Sequence, residues 1–65
     1  MTRPVMLKTF AEACLVHRNT VSRWIRDGKI EALIHVPGRT LIEVDQVDNI
    51  PQPEAIKERA RKVLQ

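Results

Sequence analysis

At 65 residues the chain has room for one small domain, and a domain of this size is only marginally able to bury a self-sufficient core. A single cysteine, Cys14, excludes an internal disulfide and suits a reducing cytosol. No apolar run approaches the roughly 18 residues of a membrane-spanning helix and the first residues lack a secretion-signal layout, so a cytoplasmic protein is expected, while 11 Lys and Arg against 8 Asp and Glu give a net charge of +3 that favours polyanionic partners.

The chain opens on a short polar leader containing Pro4. Val5, Met6 and Leu7 then form an apolar patch, either a brief strand or a hydrophobic staple. Thr9, followed three residues later by Glu12, has the form of a capping box, because each side chain can satisfy a backbone N–H left free at a helix start. A first helix is predicted from Phe10 to Leu15. Val16 and His17 break the pattern, and a second helix is predicted from Arg18 to Asp27, closed by Gly28, which tolerates the left-handed conformation of a helix end. Val21, Trp24 and Ile25 fall at the spacing of a buried stripe, leaving Arg18, Asn19, Ser22, Arg23 and Arg26 on the remaining surface.

Ala32–Val36 and Thr40–Val44 are two β-branched runs separated by Pro37, Gly38 and Arg39, whose chemistry reads as a hairpin turn. Alternation directs Ile42 and Val44 to one side, and Leu41 and Glu43 outward to the other. Asp45 can cap a short third helix with Val47 and Ile50 inward, stopped by Pro51 and Pro53. Beyond this proline linker, Glu54 to Gln65 places Ile56, Ala60, Val63 and Leu64 on one helical stripe among Lys57, Arg59, Arg61 and Lys62. The expected architecture is α+β: a small winged helix-turn-helix of three short helices with a two-stranded β-hairpin wing over residues 1–50, then a linker and a basic amphipathic C-terminal helix over residues 51–65.

Long polar side chains on the second helix suit base readout. Arg donates two hydrogen bonds to guanine and Asn pairs similarly with adenine, so Arg23 and Asn19 are candidates for direct contacts. Arg18, Thr20, Ser22 and Arg26 are candidates for phosphate contacts, which set register without reading sequence. At the turn, Gly38 and Arg39 combine a narrow tip with a guanidinium suited to a minor groove, and Thr40 can hold the adjoining backbone. Chemistry of other kinds lacks its residues: Cys14 sits in an apolar helix with no sign of a paired base, and His17 and His35 with one cysteine do not make a metal-ligand set, so neither an enzyme nor a cofactor is expected. Trp24 shares the stripe of Val21 and is expected in the core rather than as a base-stacking platform.

Leu7–Ala13, the run Val16–Ile30 with its T-V-x-R-W-I-R-x-G-K-I order, and the Gly38-Arg39 pair resemble the excisionase and Cox-type winged-helix family, related to MerR-like DNA-binding domains. The likeness covers about residues 6 to 50. It departs at His17, which stands where a small hydroxyl residue is common, and at Ser22, shorter than the side chain often found there. MerR-type regulators also carry a long dimerisation helix and an effector domain, which favours the excisionase and Cox group. The resemblance implies that the second helix enters the major groove of double-stranded DNA and the wing the adjacent minor groove, with Asn19, Thr20, Ser22, Arg23, Arg26 and Arg39 in contact. It further implies a DNA-bending recombination directionality factor for phage excision, with a tyrosine integrase and neighbouring protomers as partners; some members also repress a promoter. Two other readings stay open at this point: a regulator of the same fold with no recombination role, and a protein-interaction adaptor whose basic tail docks an acidic partner.

Overall fold

The computed structural model describes residues 3–64; residues 1 and 2 of the expected leader and residue 65 of the expected tail lie outside the described residues. Strand β1 spans Pro4–Met6 and passes without a loop into helix α1, Leu7–Ala13. Helix α2 is Arg18–Arg26, strands β2 and β3 are Ile34–Val36 and Arg39–Glu43, a 3₁₀ helix covers Val44–Asn49, and helix α3 is Glu54–Leu64.

The apolar patch at the start is a strand, and it changes the sheet. β1 pairs antiparallel with β3 in the register Pro4 to Glu43, Val5 to Ile42 and Met6 to Leu41, so the expected two-stranded hairpin is a three-stranded antiparallel sheet of order β1-β3-β2. An isolated hairpin is marginal in water, and a third strand adds ladder bonds and lays Val5 beside the fully buried Ile42. Pro4 is tolerated because it is the first residue of an edge strand, where its missing N–H breaks no ladder.

α1 begins three residues earlier than the capping box suggested. Met6, in extended conformation, precedes its first turn, with no side-chain cap; Thr9 already lies inside the helix and cannot cap it. The apolar period explains the shift, since Leu7, Phe10, Ala11 and Cys14 recur at one-face spacing, and the last three of these are buried. The helix also ends before Leu15, which sits at φ +61°. There the Leu15 N–H donates to the Glu12 carbonyl at 3.2 Å and the Val16 N–H to the Ala11 carbonyl at 3.0 Å, the paired bonds of a Schellman ending. α2 closes the same way: its last helical residue is Arg26, Asp27 caps, Gly28 has φ +78°, and Gly28 and Lys29 donate to Ile25 and Trp24 at 3.1 and 2.9 Å.

In the hairpin the pairs are Ile34 to Leu41, His35 to Thr40 and Val36 to Arg39. Arg39 is therefore the first residue of β3, not part of the turn. Pro37 and Gly38 alone make the reversal: Pro37 supplies a fixed φ and Gly38, at φ +79°, the positive one that a following turn position needs. Val44, expected in the strand, opens the 3₁₀ helix, and Leu41, expected outward, is half-buried between its cross-strand partners Met6 and Ile34.

The predicted third helix is a 3₁₀ helix, and Asp45 lies in its first turn without capping it; Val47 and Ile50 point into the core as expected. Gln46 Oε1 accepts from the Glu31 backbone N–H at 3.0 Å and from Asn49 Nδ2 at 3.2 Å, fastening the loop after α2 to this element. α3 packs against α1 and the 3₁₀ helix, burying Ala60 and Leu64 in the same cluster as Phe10, Val21, Trp24, Ile30 and Ile42. Residues 51–64 thus contribute to the common core, although Val63 stands 53% exposed, off the expected stripe. No helix among the described residues is long and apolar enough to cross a membrane.

Candidate nucleic-acid interface

The start of α2 is fixed by an unusual cap. His17 takes the extended conformation of an N-cap residue, and its Nδ1 accepts from the Asn19 backbone N–H at 3.0 Å. An imidazole carrying its proton on Nε2 thereby does the work of a serine or aspartate oxygen, satisfying one of the donors a helix start leaves free. In the sequence His17 breaks the helical pattern and stands where a small hydroxyl residue is common. Its role follows from position: it directly precedes the first helical residue.

From that anchored start, 3.6 residues per turn carry Asn19, Ser22, Arg23 and Arg26 to one face. The face opposes the buried Val21 and Trp24, whose packing sets its rotation. With Ile25 and His35 these four residues line an open groove of about 530 Å³ between α2 and the hairpin. Thr20 does not join them; it is half-buried and lies about 100° round the helix from Asn19. Arg18 leaves α2 on the hairpin side and lines a second cleft, of about 230 Å³, with Lys8, Arg39, Thr40, Gly38, Met6 and Leu7. The expected site residues therefore fall into two adjoining sets, one along α2 and one between its start and the hairpin tip, with Thr20 outside both.

Lys8 and His35 are the two residues of these clefts that the sequence pattern does not single out. His35 has a legible signal, since it pairs with Thr40 and shares the sheet face of Ile42, two residues from Thr40, which turns it toward α2. Lys8 has none, because its place depends on β1 pairing with β3.

The charges divide by element. On α3, Lys57 Nζ donates to the Asp48 carbonyl at 3.1 Å and Arg59 Nη1 to the Ala13 carbonyl at 2.8 Å. Arg61 donates to Asp48 Oδ1 through Nε at 2.8 Å and Nη2 at 2.6 Å, and to Glu54 Oε2 at 3.1 Å, while Lys62 pairs with Glu58 at 3.8 Å. The basic residues of the expected tail are thus engaged within the protein. By contrast Lys8, Arg18, Arg23, Arg26 and Arg39 are exposed and make no hydrogen bond or ion pair with any described residue, and neither cleft has an acidic residue in its lining.

Nucleophilic chemistry finds no support from Cys14. Burial pushes its thiol up to about 11 from an ordinary 9.0, which keeps it protonated and inert near neutrality. What the surface offers is a run of unpaired cations and amide or hydroxyl donors on a rigid helix, flanked by a glycine-tipped hairpin, a composition suited to a polyanion. Comparison with family models, curated protein sequences and solved structures finds no match for the chain.

Proposed function

We propose that the protein is a winged helix-turn-helix DNA-binding protein acting in the bacterial cytoplasm as an excisionase or Cox-like architectural factor. α1 and α2 form the helix-turn-helix, α2 enters the major groove, and the β2–β3 hairpin is the wing in the adjacent minor groove. An α-helix of roughly 10–12 Å diameter matches a major groove about 12 Å wide. Asn19 and Arg23 reach base edges; Arg18, Ser22 and Arg26 take phosphates, and Arg39 and Thr40 act from the wing. Thr20, half-buried off this face, contributes at most a backbone-side contact.

The observation that carries this reading is the partition of charge: the cations of α3 are held by intramolecular acceptors, whereas those of α2 and the hairpin have no partner among the described residues and face two clefts lined by no carboxylate among them. The same partition speaks against an adaptor that docks an acidic protein through its tail. Size supports action in several copies. The molecule measures 30 × 23 × 17 Å, and a duplex turn is about 34 Å long, so one protomer covers no more than one turn. Adjacent protomers would together offset the roughly 1–6 kcal/mol needed to bend a site, in the manner of a directionality factor working beside a tyrosine integrase.

The test is a mobility-shift titration of a random duplex at low salt, followed by footprinting on an attachment region with and without integrase. A shift that Arg23→Ala and Arg26→Ala weaken supports the interface; absence of any complex removes the DNA assignment. Binding with no effect of integrase on the footprint would make the protein a plain regulator of the same fold.

A further inference from the structure

We infer that Lys8, Arg18 and Arg39 together seat one backbone phosphate of DNA, with the Thr40 hydroxyl as an additional donor, and that Lys8 belongs to the interface. This rests on the DNA-binding reading and names a contact within it. The register creates the seat. Met6 to Leu41 is the last pair between β1 and β3, so Thr40 and Arg39 run on past the end of β1. The chain turns at once into α1, which brings Leu7 and Lys8 alongside them, while Arg18 arrives from the first turn of α2.

Three elements distant in sequence thus each contribute one cation to a single open cleft. Like charges gathered together repel; the lining of this cleft holds no acid, and although Glu12 lines an adjoining cleft with Lys8 and Arg18, none of the three side chains makes an ion pair or hydrogen bond with a described residue. The cleft is also approachable. A Cβ placed on Gly38 would meet nothing within 4 Å, so the hairpin tip stands clear of the rest of the chain. An open cleft between the helix and the hairpin suits a phosphodiester better than a free anion. If those elements occupy successive grooves, the strand dividing the grooves must pass between them, at the place where these cations converge.

Fluorescence anisotropy with a labelled random duplex, repeated from about 50 to about 200 mM salt, reads the contact. Each neutralised phosphate contributes a slope of about −0.9 to log affinity against log salt, so Lys8→Ala, which leaves Arg18 and Arg39 on that phosphate, should flatten the slope by part of that unit, and its penalty should shrink by up to about 3.5-fold across that range. Lys8→Arg should restore the wild-type slope, and Lys62→Ala, which removes the same charge from α3, should leave it unchanged. Lys8 is exposed and its side chain has no partner among the described residues, so its variants should melt with the wild type. Wild-type binding with an unaltered slope in Lys8→Ala, or an equal change in Lys62→Ala, overturns the seat while leaving the DNA reading intact. No binding by the wild type overturns both. Inorganic phosphate at constant ionic strength should not compete; competition that disappears in Lys8→Ala would reassign the cleft to a free anion and overturn the inference.

Discussion

Replacing His17 separates what holds α2 in place from what it binds. In His17→Ala the Asn19 N–H loses its 3.0 Å acceptor at the start of a helix that carries Val21 and Trp24 into the core. Losing an N-cap costs about 1 kcal/mol, set against a total stability of about 3–10 kcal/mol expected for a chain this short. For a domain of this size that corresponds to a fall in melting temperature of about 4–8 °C, readable by circular dichroism or by the fluorescence of Trp24. Ser and Asp both return an oxygen acceptor and should both restore the melting temperature. They should differ on DNA, because His17 shares a cleft with Lys8, Arg18 and Glu12, and a second carboxylate beside that of Glu12 adds repulsion toward the phosphate while a hydroxyl does not. His17→Ser should therefore recover stability and DNA affinity, and His17→Asp stability alone, with its defect fading at high salt. A His17→Ala variant that melts like the wild type would show that packing alone holds the helix start. Equal DNA binding by the Ser and Asp variants would place this cleft outside the interface.

Two further outcomes follow from local chemistry. Gly38→Ala meets no steric obstacle but forces a Cβ onto φ +79°, so it should lower the urea midpoint by an amount worth about 1 kcal/mol without altering the sheet. The Cys14 thiol should resist maleimide near pH 8 until the chain unfolds; because its folded value of about 11 lies above the ordinary 9.0, the unfolded chain releases the proton first, and stability should fall between those two pH values in the wild type but not in Cys14→Ala.

The sequence made α2 legible because independent signals agreed on it: the spacing of Val21 and Trp24, the glycine after its end and the polar composition of the other face. Only its cap was hidden, since imidazole seldom plays that part. α1 was misplaced because a local motif, Thr9 with Glu12, competed with a tertiary fact. β1 ends at Met6, and the chain becomes helical there because Leu7 already belongs to the buried period. A three-residue strand is too short to show alternation, and its partner β3 lies most of the chain away, so the third strand and the position of Lys8 were beyond local pattern. On α3 the helix and its inward Ala60 and Leu64 were legible, but the partners of its arginines were not, for the same reason. Its arginines look like a solvated basic tail until the Ala13 carbonyl and Asp48 are seen to receive them.

That difference between α3 and α2 bears on how any set of charge substitutions must be read. Arg59 and Arg61 hold the last helix to α1 and to the 3₁₀ helix, so removing either disturbs packing around Ala60 and Leu64, and a loss of DNA binding in such variants would follow from a loosened fold. The side chains of the five cations of the two clefts have no partner among the described residues, and their replacement removes charge without removing a bond seen there. With Lys8, Arg18 and Arg39 on one phosphate and Arg23 and Arg26 counted at one each, they set a salt slope no steeper than about −2.7. Under the proposed DNA reading, binding and folding are therefore separable on α2 and the hairpin but not at Arg59 and Arg61 of α3.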